Sequence, residues 1–276
     1  MRTRSKFLQR AAGFVLASVA LAGAATASAD YATDYQKALD VGTQAYVYGV
    51  PLLDMARTFQ TQTSVNVPDG RGDAPVNQFS HIRHLADPLD RTVVAPNHDT
   101  LYSIAWLDLT PQPIVIHVPF QPDRFHVVPL LSPYQENFAN IGSPAAALPD
   151  GDYLITPPGW RGRLPDGLRQ IESPYDRVWI VVRTLVGGPE DEPNVQAIQD
   201  QYSLTPLNKW GKNKPYTLKP PKHQDTTVDT ATIPGTQPGE DPIEFFDALG
   251  IELARFLPPA ADLPRSEEHT SELQSP

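Results

Sequence analysis

VVAPNHDTLYSIAWLDL, running from Val93 to Leu109, reads as strand, tight polar turn, strand. Asn97, His98, Asp99 and Thr100 fill four consecutive positions between two apolar runs. Asn and Asp suit such a turn because their short side chains bond the local backbone. Beyond it, side chains alternate between two faces. Leu101, Ala105 and Leu107 fall on one face, and Tyr102, Ile104 and Trp106 on the other. A strand apolar on both faces predicts a sheet covered by a second layer.

The same reading extends outward. Thr92–Ala95, Ile114–Val118, Phe125–Leu131, Asp152–Thr156 and Val178–Val186 are short β-rich runs between Pro, Gly and Asn turns, spaced as in antiparallel sandwiches. Thr33–Gly49 predicts a helix, with Thr33 and Gln36 as a capping box. Pro51 breaks or kinks it. Asn194–Tyr202 predicts a short helix, and Asn208–Glu240 a long surface excursion. A last helix begins near Asp241, with Phe246, Leu249, Leu253 and Phe256 as its apolar stripe. The predicted class is α+β: an antiparallel, sandwich-like sheet region with an N-terminal helix and C-terminal helices. Thirty prolines in 276 residues, about twice the usual ~5% share, agree with many short segments.

Residues 1–29 have the form of a secretory signal peptide. Arg2, Arg4, Lys6 and Arg10 precede an apolar run, and Ala27-Ser28-Ala29 supplies small residues before Asp30. The expected location is periplasmic or secreted, with no stable membrane anchor after leader removal. Without these four basic residues, 18 Lys and Arg face 32 acids, a net charge of −14. That balance argues against nucleic acid as a partner. The chain has no cysteine, which excludes disulfides and cysteine nucleophiles or ligands.

Asn97, His98, Asp99, Thr100 and Tyr102 form the leading candidate site for a small polar ligand. Asp99 could orient an imidazole or take a proton, while Asn97 and Tyr102 hold polar groups. Tyr134 and Asn137 belong to a second polar cluster after a strand. Arg183 sits inside an apolar run, so burial predicts an internal partner such as Asp99 or Asp108, or a bound anion. His81 and His84, three apart, share one side if helical. With His98 or Asp99 they would form a divalent-metal set.

Several blocks, in order, carry a resemblance. They are Ala45-Tyr46-Val47-Tyr48-Gly49-Val50-Pro51-Leu52, Pro96-Asn97-His98-Asp99-Thr100-Leu101-Tyr102-Ser103 with Trp106-Leu107-Asp108, and Pro129-Leu130 through Ile141-Gly142. Pro158-Gly159-Trp160, Ser173-Pro174, Trp179 to Thr184 and Leu204-Thr205-Pro206-Leu207 follow. The chain resembles the domain-of-unknown-function 1254 (DUF 1254) family of exported bacterial proteins, and residues 30–264 would form that domain. The resemblance implies a second, β-rich domain (DUF 1214) after it, absent from this truncated chain. Residues 265–276, RSEEHTSELQSP, resemble a translated sequencing adapter. Three functions stand open: small polar-ligand binding, a metal-assisted hydrolase or lyase, and a structural or interaction domain.

Overall fold

The strands follow the apolar runs. The structure is a computed structural model that describes residues 4–88, 95–143, 148–212 and 232–262, with side chains from residue 31 onward. In chain order the elements are α1 (Arg4–Thr63), β1 (Ser80–His81), β2 (Thr100–Asp108), β3 (Ile114–Val118), β4 (His126–Leu131) and β5 (Asn137–Gly142). Then come β6 (Gly151–Thr156), β7 (Arg169–Glu172), β8 (Arg177–Leu185), α2 (Glu192–Gln199), β9 (Ser203–Pro206) and α3 (Ile243–Arg255). The chain divides into two units, Met1–Val50 and Pro51–Pro276.

In the first unit, the described side chains lie on α1 and are mostly exposed, among them Tyr35, Leu39 and Val47. Gln36 Nε2 donates to Asp40 Oδ1 at 2.8 Å. Helix α1 begins well before Thr33, so Thr33 lies mid-helix rather than at its start. Pro51 also lies inside the helix, which runs on to Thr63. A proline there removes one intrahelical hydrogen bond. In the second unit, buried Leu52, Leu53 and Met55 anchor that part of the helix.

The second unit holds two sheets, ordered β1-β2-β8-β4-β5 and β7-β6-β3-β9. Their inner faces close on one core, with Leu107, Val128, Ile141, Ile180 and Val182 from the first sheet and Ile116, Tyr153 and Ile155 from the second. The expected α+β class with a sandwich-like sheet region is what forms. Every pair is antiparallel except β6 with β7, which runs parallel. The cause is a crossover. After β6 the chain covers the outer side of the second sheet, placing Trp160, Leu164 and Leu168 on Val115 and Leu154, and returns in the same direction.

The first sheet has short or covered edges. β1 is two residues long, and Arg83 and Gln199 tie the segment after it to α2. At the other edge, Leu148 N–H donates to the Asn140 carbonyl at 3.1 Å, and Gly142 N–H to the Leu148 carbonyl at 2.9 Å.

Asp241 Oδ1 accepts from Ile243 N–H at 3.0 Å just ahead of α3, whose N-cap is Pro242 with no side-chain cap hydrogen bond. Its buried side differs from the expected stripe: Phe245, Leu249 and Phe256 face inward, and Phe246 is exposed. At 100° per residue, positions 245, 249, 252 and 256 cluster on one side. Position 252 is Glu252, so a charge occupies the inward row and hides it from hydropathy. Ile243, Phe246, Ile251 and Leu257 are exposed. Of the expected strand Thr92–Ala95, residues 92–94 lie outside the described residues, as do most of 208–240 and the tail 265–276. Among the described residues no helix is long and apolar enough to cross a membrane.

Candidate functional site

Register decides which polar groups share a surface. β2 and β8 pair Tyr102 with Arg183, Ile104 with Val181, Trp106 with Trp179, and Asp108 with Arg177. Alternate positions (Ala105, Leu107, Val178, Ile180, Val182) enter the core between the sheets. The four rungs therefore lie on the opposite, outer face of the first sheet. Six residues separate the end rungs, about 20 Å at strand rise.

At one end stands the Asn97–Thr100 turn. Asn97, His98 and Asp99 are exposed. Its backbone is fixed. Asn97 N–H donates to the Tyr102 hydroxyl at 3.1 Å, and Val186 N–H to the Asp99 carbonyl at 2.8 Å. Among the described residues no hydrogen bond engages the side chains of Asn97, His98 or Asp99. Thr100 is buried, and its Oγ1 has no hydrogen-bond partner there. Arg183 corrects its expectation. It is exposed, not buried, and its guanidinium carbon lies 6.0 Å from the Tyr102 ring centroid. The alternation that makes β8 look apolar throughout puts Arg183 on the outer side, where solvent meets its charge. Neither Asp99 nor Asp108 forms an ion pair with it among the described residues.

At the other end the buried cation is Arg177, which the sequence reading passed over. Its side chain is 7% exposed. The guanidinium carbon lies 3.9 Å from the Phe59 centroid and 4.8 Å from the Phe256 centroid. Glu252 Oε2 stands 3.7 Å from Nη1, beyond hydrogen-bonding distance, and is itself buried without a hydrogen bond. Burial lowers the Arg177 pKa to about 10, helped by Arg255 and opposed by Glu252 and Asp108. Trp106 stacks on Trp179 at 5.3 Å and meets Phe59 edge-on at 5.3 Å. Trp106 Nε1 donates to Gln62 Oε1 at 2.8 Å.

The other predicted residues are scattered. Tyr134 donates its hydroxyl hydrogen to the Phe256 carbonyl at 2.6 Å, holding the end of α3. Asn137 Nδ2 donates to Asn140 Oδ1 at 2.8 Å on β5. His81 lies on a strand, so His81 and His84 share no helix side. His81 Nδ1 meets Ser103 Oγ at 2.8 Å, while His84 is exposed and its Nδ1 lies 3.2 Å from the Leu85 carbonyl. Burial, with the Arg83 charge behind it, lowers the His81 pKa to about 4. Among the described residues no three His, Asp or Glu side chains gather where they could hold a metal ion. His81, His84, His98 and Asp99 thus form no joint ligand set.

A second buried pair also escaped the sequence reading. His126 Nε2 and Asp150 Oδ1 lie 2.6 Å apart, with side chains 0% and 9% exposed. Nδ1 faces the Arg124 carbonyl at 2.9 Å and Ser143 Oγ at 3.4 Å, so both ring nitrogens have polar partners.

A family model described as "Protein of unknown function (DUF1254)" matches residues 76–206. The chain is similar to a solved structure, the VPA0106 protein from Vibrio parahaemolyticus, a structural-genomics target, with 21% sequence identity and a TM-score of 0.55. That match covers 79% of this chain and 47% of the Vibrio chain, so the chain spans about half of its length. The likeness concerns the fold alone. No curated protein matches the chain.

Proposed function

Taking residues 76–206 as a DUF1254 region, we propose that the protein binds a small polar ligand at the Asn97–Tyr102 end of the outer sheet face. One observation carries this. The side chains of Asn97, His98 and Asp99 are exposed and untied among the described residues, although their backbone is fixed by Tyr102 and Val186. A turn built only for folding spends its Asn and Asp side chains on nearby amides. Arg183 adds donors beside Tyr102. Together they offer both donors and acceptors to one molecule.

The leader supports a periplasmic or secreted location, and the acidic balance speaks against a nucleic-acid partner. The exposed Ile243, Phe246, Ile251 and Leu257 of the α3 segment support docking of the second domain that the family resemblance implies.

The test is thermal denaturation of the full chain with sugars, dicarboxylates and amino acids at millimolar concentration. A rise in Tm with one class, abolished by Asp99→Asn and by Arg183→Ala, supports the reading. An unchanged Tm across all three classes overturns it.

A further inference from the structure

The guanidinium of Arg177 is stabilised on its faces by aromatic rings and ion-paired at 3.7 Å with Glu252, while its N–H groups make no hydrogen bond among the described residues. Phe59 and Phe256 lie over it at 3.9 and 4.8 Å. Ring faces attract the cation but accept little from its five N–H groups, which point outward in the guanidinium plane. Among the described residues no hydrogen bond engages those groups. The Glu252 carboxylate stands off at 3.7 Å, itself without a hydrogen bond. Asp108, across the rung, is occupied by the Thr110 N–H at 3.0 Å. Glu252 and Asp108 balance the charge, but the N–H groups stay without a hydrogen bond, and buried polar groups in folded proteins are matched by protein, water or a bound group.

We propose that Arg177 is the anchor of a carboxylate-binding subsite walled by Phe59, Tyr175 and Phe256, at the opposite end of the outer sheet face from the Asn97 turn. A carboxylate presents two coplanar oxygens to a guanidinium edge, the geometry that matches both partners. The aromatic walls favour a flat apolar body attached to it. Tyr175 meets Phe256 edge-on at 5.9 Å, and its hydroxyl donates to the Leu257 carbonyl at 2.9 Å, so the wall is held in place. Arg255 lies against Phe256 at 5.3 Å and adds positive potential. Glu252 is the competing internal anion, kept too far away to close the site. The lowered Arg177 pKa, about 10, still leaves the group charged at neutral pH.

Isothermal titration of the full chain with benzoate, acetate and benzamide tests this. Benzoate should bind, acetate more weakly, and benzamide, which lacks the charge, at least tenfold more weakly than benzoate. Trp106, which contacts Phe59, should report benzoate by a fluorescence change. Arg177→Met should weaken benzoate at least tenfold. Arg177→Lys keeps the charge and loses the fork, so it should fall between. Glu252→Gln should tighten benzoate several-fold by removing the competitor, and it reads the site even if Arg177→Met does not fold. No benzoate binding by the unmodified chain overturns the proposal, as does equal binding by benzoate and benzamide. Weaker binding in Glu252→Gln overturns it too.

Discussion

Removing the Asp150 carboxylate should cost more stability than any surface change in this protein. Asp150 joins two segments: Oδ1 meets His126 Nε2 at 2.6 Å, and Oδ2 accepts from Gln121 N–H at 3.0 Å. Its own carbonyl accepts from Arg169 at 2.6 Å. The His126 side chain is wholly buried, so Asp150→Asn sets a neutral amide against Nε2 and loses the charge-assisted hydrogen bond. Breaking one side of a buried pair costs about 3–5 kcal/mol. For a domain of this size that is a fall in Tm of roughly 10 °C. The assay is urea unfolding of the parent, Asp150→Asn, His126→Leu and the double variant, followed by tryptophan fluorescence. The cycle should give a coupling of about 2 kcal/mol, since each partner is needed for the other's burial. A loss under about 1 kcal/mol for Asp150→Asn would refute the reasoning, because it would mean that water reaches the pair.

The chain should lose stability in mild acid through His81. Its folded pKa is lowered from 6.5 to about 4, so the unfolded chain takes the proton first as pH falls. The contribution is whole above 6.5 and declines by ~3 kcal/mol on reaching pH 4; unfolding curves of His81→Gln should show a shallower decline. Gly142→Ala should destabilise by at least ~2 kcal/mol, since φ is +140° and a Cβ would meet the His126 carbonyl oxygen at 2.5 Å. His98→Ala and Asp99→Asn should change the unfolding free energy by under ~0.5 kcal/mol, because both side chains are exposed and untied. Ile251→Ser with Leu257→Ser should reduce hydrophobic-dye binding by the native chain, as both are about 70% exposed; equal dye fluorescence would place the apolar surface elsewhere.

Most of the fold was legible. Ile114–Val118 is a strand with the expected bounds, and Leu101–Leu109 is buried on its inner face, while on the other face Trp106 is buried and Tyr102 and Ile104 are half-buried. What failed had physical causes. Asn137–Gly142 carries two Asn and a Gly and has weak strand propensity, yet pairing along β4 makes it a strand. Arg177 and Arg183 have the same parity on β8 and look alike in sequence. Only the cover differs: Phe59 and Phe256 close over the first, and solvent meets the second. His126 and Asp150 stand 24 residues apart with nothing between them to announce a pair, because the contact is made by tertiary packing. The Asn97 turn was legible in place, since Asn-His-Asp between apolar runs can hardly be strand.

The edges of the first sheet bear on how the protein meets its own copies at high concentration. A free strand edge invites another chain to extend the ladder, which is the route to fibrils and swapped dimers. Here one margin is only two residues long, and the other is already engaged by Leu148. Ladder extension at this sheet is thereby discouraged, and contacts along its margins fall to side chains, which can be formed and released without growing a polymer.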